Sequence, residues 1–148
     1  MYKYIGLVAV ALFAAHPADR PDLNGTWQLD AARSQMNDTK VKSRTLAITQ
    51  KEDSIAITDT TVDSGGKPKK VEFDCGTDGQ DCKPTGVSAK VSFYYNGDRL
   101  IMLDTRRGGD YVTKTRLTVS DDGKTLTFAV EHIAPPGQKE ESLVFVKQ

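Results

Sequence analysis

Val87-Ser88-Ala89-Lys90-Val91-Ser92-Phe93-Tyr94-Tyr95-Asn96-Gly97-Asp98-Arg99-Leu100-Ile101-Met102-Leu103-Asp104 is the most informative stretch of the chain. Val87, Ala89, Val91, Phe93 and Tyr95 recur at every second position, so an extended backbone places them on one face. Asn96-Gly97 follows at once. The two central residues of a tight hairpin turn need positive φ, which Asn and Gly adopt most readily. Residues 99–104 then return as the second strand. This segment alone specifies an antiparallel hairpin with one apolar face.

The same pattern extends in both directions. Gly108-Gly109-Asp110 turns the chain into Tyr111, Thr113, Thr115, Leu117 and Val119, again on one face. Asp121-Asp122-Gly123 turns it into residues 124–131, where Leu126, Phe128 and Val130 alternate. Ala134-Pro135-Pro136-Gly137 is a loop, and Leu143 and Phe145 mark a final strand. Upstream, residues 26–30 hold Trp27 and Leu29 on one face, and residues 30–34 fit a single helical turn. Residues 40–44 lead into a strand over 45–50 with Leu46 and Ile48; a turn at Glu52-Asp53 leads to Ile55 and Ile57 over 54–59. After a loop over 64–68, Val71 and Phe73 alternate with Glu72 and Asp74. About nine short strands with a turn every ten residues or so describe a sandwich or a barrel. Consecutive hairpins favour a meander, and closing it removes exposed edges. The expected fold is all-β: an antiparallel up-and-down meander closing into a barrel of about 8–9 strands.

The first residues stand apart. Lys3 precedes an unbroken small or apolar run from Ile5 to Ala15, which His16, Pro17, Asp19 and Arg20 end. A charged start, a short apolar run and small residues near its end describe a secretory signal peptide. The run is too short to span a membrane, which takes roughly 18 or more apolar residues. The expected organisation is a leader over 1–18 and a single domain over 19–148, with a secreted or periplasmic destination. The chain of 148 residues carries 20 basic and 20 acidic side chains, so no positive excess exists to attract nucleic acid. At 38% apolar and 27% charged it is also unlike a disordered chain.

Asp22-Leu23-Asn24-Gly25-Thr26-Trp27 resembles the Gly-x-Trp motif that opens lipocalin barrels. With Gln28-Leu29-Asp30-Ala31-Ala32-Arg33-Ser34, residues 120–127 and the terminal 143–148, it is similar to small secreted lipocalin-like proteins of bacteria. The resemblance implies a lipocalin-like fold more than an activity. It implies that Trp27 packs across the closed end of the barrel, with Arg116 as the candidate cation stacked on it.

Chemistry-bearing groups are sparse. Cys75 and Cys82, an even pair in a secreted protein, suggest a disulfide, and their spacing does not fit Cys-x-x-Cys redox or zinc sites. Asp74, Asp78 and Asp81 lie in the same loop, but Gly76 and Thr85 fall where an EF-hand needs ligands, so a solvated acidic turn is expected rather than a metal site. His132 is the one histidine beyond the leader, and no Gly-x-Ser-x-Gly elbow accompanies it. Lys67, Lys69, Lys70, Arg106 and Arg107 form short basic groups offset by nearby acids. No catalytic residue, cofactor or metal is therefore expected.

The leading expectation is a non-enzymatic, monomeric barrel that binds a small hydrophobic ligand. Phe73, Val91, Phe93, Tyr95, Met102 and Phe128 are the candidate lining. The opposing possibility is that these residues simply fill the interior, since small barrels can be packed solid. The alternative function is protein recognition, as in a secreted inhibitor or an envelope-assembly partner.

Overall fold

A computed structural model of the chain describes residues 20–148, and the leader expected over 1–18 lies outside them. Nine antiparallel strands follow in order: β1 (Gly25–Leu29), β2 (Val41–Gln50), β3 (Ser54–Asp63), β4 (Pro68–Gly76), β5 (Lys90–Asn96), β6 (Arg99–Arg106), β7 (Tyr111–Val119), β8 (Thr125–Ala134) and β9 (Glu141–Lys147). A single 3-10 turn, Ala31–Arg33, follows β1, and the Asp30 carboxylate caps it by accepting the Arg33 N–H. The Arg33 guanidinium also donates to Asp30 at 2.8 Å, which holds that carboxyl below the usual aspartate range.

The strands form one sheet in the order β4-β3-β2-β1-β9-β8-β7-β6-β5. The first and last strands pair, with Trp27 opposite Lys147, so the meander curls round and joins its own ends. This is the expected all-β barrel. Its two edge strands are β4 and β5, neighbours in the chain that share no ladder.

The gap between them is closed by the connecting segment 77–89, which runs as a strap along both edges. Thr85 exchanges two backbone hydrogen bonds with Glu72 of β4, both 2.9 Å. Cys82 exchanges two with Val91 of β5, at 2.7 and 2.9 Å, and the Gly79 N–H donates to the Phe93 carbonyl at 2.9 Å. Cys75 and Cys82 are joined as a disulfide, Cα atoms 5.8 Å apart, which fixes the strap to the end of β4. Inside the gap, the rings of Phe73 and Phe93 meet edge-on with centroids 6.1 Å apart. Edge-on contact sets the positive rim of one ring against the negative face of the other. The strap corrects one expectation. Val87 and Ala89 precede the β5 ladder, which starts at Lys90, because the chain at Thr85 is still bonded to β4.

One end of the barrel is packed solid. Trp27, Leu46, Ile55, Leu100, Leu117, Leu126 and Phe145 are each at most 1% exposed there. Residues 20–24 plug that end. Leu23 is fully buried, its carbonyl accepts the Trp27 indole N–H at 3.0 Å, and its own N–H donates to Gln50 Oε1 at 2.8 Å. The Gln50 amide donates to Tyr95 Oη at 2.7 Å, and Arg20 lies 4.2 Å over the Tyr95 ring. Trp27 thus packs across the closed end. The cation beside it is Lys147, 5.5 Å from the ring. Arg116 neighbours the inward Leu117 in its strand, so it faces out, where it bonds Glu131 at 3.4 Å.

Candidate functional site

Along nearly every strand the inward stripe is apolar at the closed end and polar at the open end. In β2 it runs Ile48, Leu46, Arg44; in β3, Ile55, Ile57, Asp59, Thr61. In β6 it runs Leu100, Met102, Asp104, Arg106; in β7, Leu117, Thr115, Thr113, Tyr111. In β8, Phe128 and Val130 are followed by His132. Strand geometry forces this result, because alternate residues share a face whatever their polarity.

The polar half encloses a cavity of about 730 Å³, bordered by Met102, Thr115, Phe128, Val130 and Leu143. A smaller recess of about 80 Å³ continues from it toward the core, between Leu46, Ile57, Phe73 and Leu117. Arg44, Asp104, Arg106, Met102 and Phe128 border both spaces.

Two ion pairs stand in this region, each a parallel fork. Arg44 donates through Nε and Nη2 to the two carboxylate oxygens of Asp59, at 3.0 and 2.7 Å. Arg106 does the same to Asp104, at 3.1 and 2.9 Å. Such forks are stronger and more directional than single charge contacts. Arg44 also lies 5.9 and 5.7 Å from the ring centres of Phe128 and Phe145. At the mouth, His132 Nε2 and Glu141 Oε2 are 2.9 Å apart, and Glu141 Oε1 accepts the Asn37 N–H at 2.9 Å. That bond, with the bridge between Gln35 and Ser142, ties segment 34–38 across the rim, where Met36 and Asp38 face the cavity.

The six residues expected to line a ligand site divide in two. Met102 and Phe128 border the main cavity, and Phe73 borders its recess. Val91 and Phe93 are at most 1% exposed in the packed core, and Tyr95 belongs to the closed-end plug. Sequence reasoning missed Arg44, Asp59, Asp104, Arg106 and His132 as inward groups. Their signal was present: each continues an apolar stripe at the same period of two. Among the described residues no cluster of His, Cys, Asp and Glu has metal-ligand geometry, and no helix is long and apolar enough to cross a membrane.

No protein family's sequence model matches the chain, and no curated protein sequence does. Solved structures match the fold. A secretory abundant heat soluble protein from Ramazzottius varieornatus aligns with TM-score 0.61 and 11% identity, over 90% of this chain and 100% of that one. A point mutant of the fluorescent protein UnaG aligns with TM-score 0.60 and 16% identity, over 85% of this chain and 96% of that one. A Schistosoma mansoni fatty acid binding protein, solved with arachidonic acid, aligns with TM-score 0.59 and 17% identity, over 84% and 95%. At these identities the likeness is one of fold alone, an antiparallel β-barrel.

Proposed function

We propose that this chain is a non-enzymatic, monomeric barrel protein that binds one small ligand with an apolar body in the cavity at its open end. The observation that carries this reading is the cavity of about 730 Å³, which lies within the usual range of about 300–1,000 Å³ for small-molecule sites. Its floor offers apolar contact through Met102, Phe128 and Leu143, and its walls offer fixed donors and acceptors. Of the expected contacts, Met102, Phe128 and Phe73 would meet the ligand, while Val91, Phe93 and Tyr95 would stiffen the wall behind it. The fatty acid binding protein of similar fold, solved with arachidonic acid, supports the reading. The Cys75–Cys82 disulfide supports an oxidising destination, secreted or periplasmic, in keeping with a cleaved leader over 1–18.

The test is titration of delipidated protein with Nile red, a neutral dye that brightens in apolar surroundings. Saturable one-to-one binding is expected, weakened at least about tenfold when Met102→Trp and Val130→Trp fill the cavity, since binding follows available apolar volume. Absence of saturable binding, or unchanged binding by a filled variant that still folds, would overturn the reading.

Protein recognition is the second reading. It is favoured by Tyr111 and Ile133, 44% and 48% exposed, the two large exposed apolar side chains among the described residues, both near the open end. A stoichiometric partner that co-purifies with the native protein and is lost on Tyr111→Ser with Ile133→Ser would support it.

A further inference from the structure

The cavity's charges are balanced from within. Arg44 and Arg106 bring two cations to the recess, and Asp59 and Asp104 engage both in forks. Those two carboxylates are only 12% and 10% exposed, so they lie inside the wall, while Arg44 is partly exposed and Arg106, 42% exposed, reaches toward the open end. Nearer the mouth, Lys69 and Arg107 are matched in number by Asp38 and Glu141.

Each fork fixes what remains for a ligand. A guanidinium has five N–H donors and the fork uses two, so three are left on each arginine. A carboxylate oxygen has two lone pairs, so each oxygen in the fork can still accept from a second donor. The recess therefore offers donors and acceptors together, without net charge. A hydroxyl or a primary amide both gives and takes hydrogen bonds and can use both kinds of site. An ionised carboxylate only accepts, and because Asp59 and Asp104 cancel the attraction of Arg44 and Arg106, no net positive charge offsets the cost of taking it out of water.

Resting on the ligand-binding reading above, we propose that Asp59 and Asp104 are specificity-determining residues: they cancel the charges of Arg44 and Arg106, so the site selects an uncharged, hydrogen-bonding headgroup on an apolar chain and rejects a carboxylate.

Calorimetric titration at pH 8, where a carboxylic acid is fully ionised, can compare three probes with the same chain: 1-dodecanol, dodecanamide and dodecanoic acid. The wild-type protein is expected to bind the alcohol or the amide at least about tenfold more tightly than the acid, the size of effect expected for leaving a charge without a matched partner. The variant Asp59→Asn with Asp104→Asn exposes two uncompensated arginines and should bind dodecanoate at least about tenfold better than wild type does. The variant Asp121→Asn with Asp122→Asn, at the outer β7–β8 turn, changes net charge equally and should give no such gain. If the double interior variant fails to fold, Asp104→Asn alone should show the same gain in smaller measure. Wild-type preference for dodecanoate overturns this proposal and leaves ligand binding standing. Binding of Nile red but of none of the three probes also overturns the headgroup assignment. Binding of neither overturns the ligand-binding reading as well.

Discussion

Replacing Gly86 with Ala tests whether the strap closes the barrel. Gly86 has φ +92°, and a Cβ built on it would collide with the carbonyl oxygen of Lys70 in β4. Backbone of the edge strand is the obstacle, so it cannot swing aside like a long side chain. The left-handed conformation costs an alanine about 1–2 kcal/mol. Relieving the collision moves the strap off β4 and breaks the two Glu72–Thr85 bonds, each worth about 1 kcal/mol net. The expected loss is about 3–4 kcal/mol, which at about 3–5 °C per kcal/mol for a chain of this size lowers Tm by about 9–20 °C. Gly79 provides the comparison: its φ is +82° but a Cβ there meets nothing within 4 Å. Gly79→Ala should therefore show only the conformational cost, about 1–2 kcal/mol. Thermal melts of both variants, with amide exchange at Glu72 and Thr85, decide the matter. Equal melting of the two variants, with both amides as protected as in wild type, would refute the reasoning.

Other expectations concern the core, the disulfide and pH. Phe145 is fully buried against Phe128, ring centroids 4.9 Å apart; Phe145→Ala should cost about 3–5 kcal/mol in denaturant unfolding, and a loss under about 1 kcal/mol would contradict the packing. Reducing Cys75–Cys82 should lower stability by about 2–3 kcal/mol, as expected for a short loop; an unchanged melt in reductant would show that the strap holds without it. The Ser120 hydroxyl donates to Asp122 at 2.6 Å and holds its carboxyl below the ordinary 3.8. The stabilisation from Asp122 is then present above that ordinary value and is lost as pH falls through the lowered one. A side-chain NMR titration should place the Asp122 midpoint below 3.8, and a midpoint above it would be inconsistent with the turn.

The fold was legible because it rests on local signals. Asn96-Gly97 and Asp121-Asp122-Gly123 fall at the observed turns, and the Leu117 and Phe128 stripes point inward. The site was half legible, for a specific reason. The strands expected over 54–59 and 99–104 end at Asp59 and Asp104, whereas β3 and β6 continue to Asp63 and Arg106. Charged residues at the inward period mark a lined cavity rather than a strand end, because each has its own partner: Arg44 for Asp59 and His132 for Glu141 on neighbouring strands, and Arg106 for Asp104 on the same strand. Other features depend on contacts that no local pattern encodes. Lys147 reaches Trp27 because the last strand pairs with the first. Leu23 is buried because it closes the barrel from outside any strand. Val87 and Ala89 alternate like β5, but the Glu72–Thr85 bonds hold the adjoining chain on β4.

The central claim is that a ligand enters the polar half of the barrel. Amide chemical shifts recorded during titration with dodecanamide test it most directly. The account predicts saturating shifts concentrated around Met102, Thr115 and Phe128, with little change at the outer turn 121–123. Shifts confined to the outer face, or none at saturating probe, would contradict it.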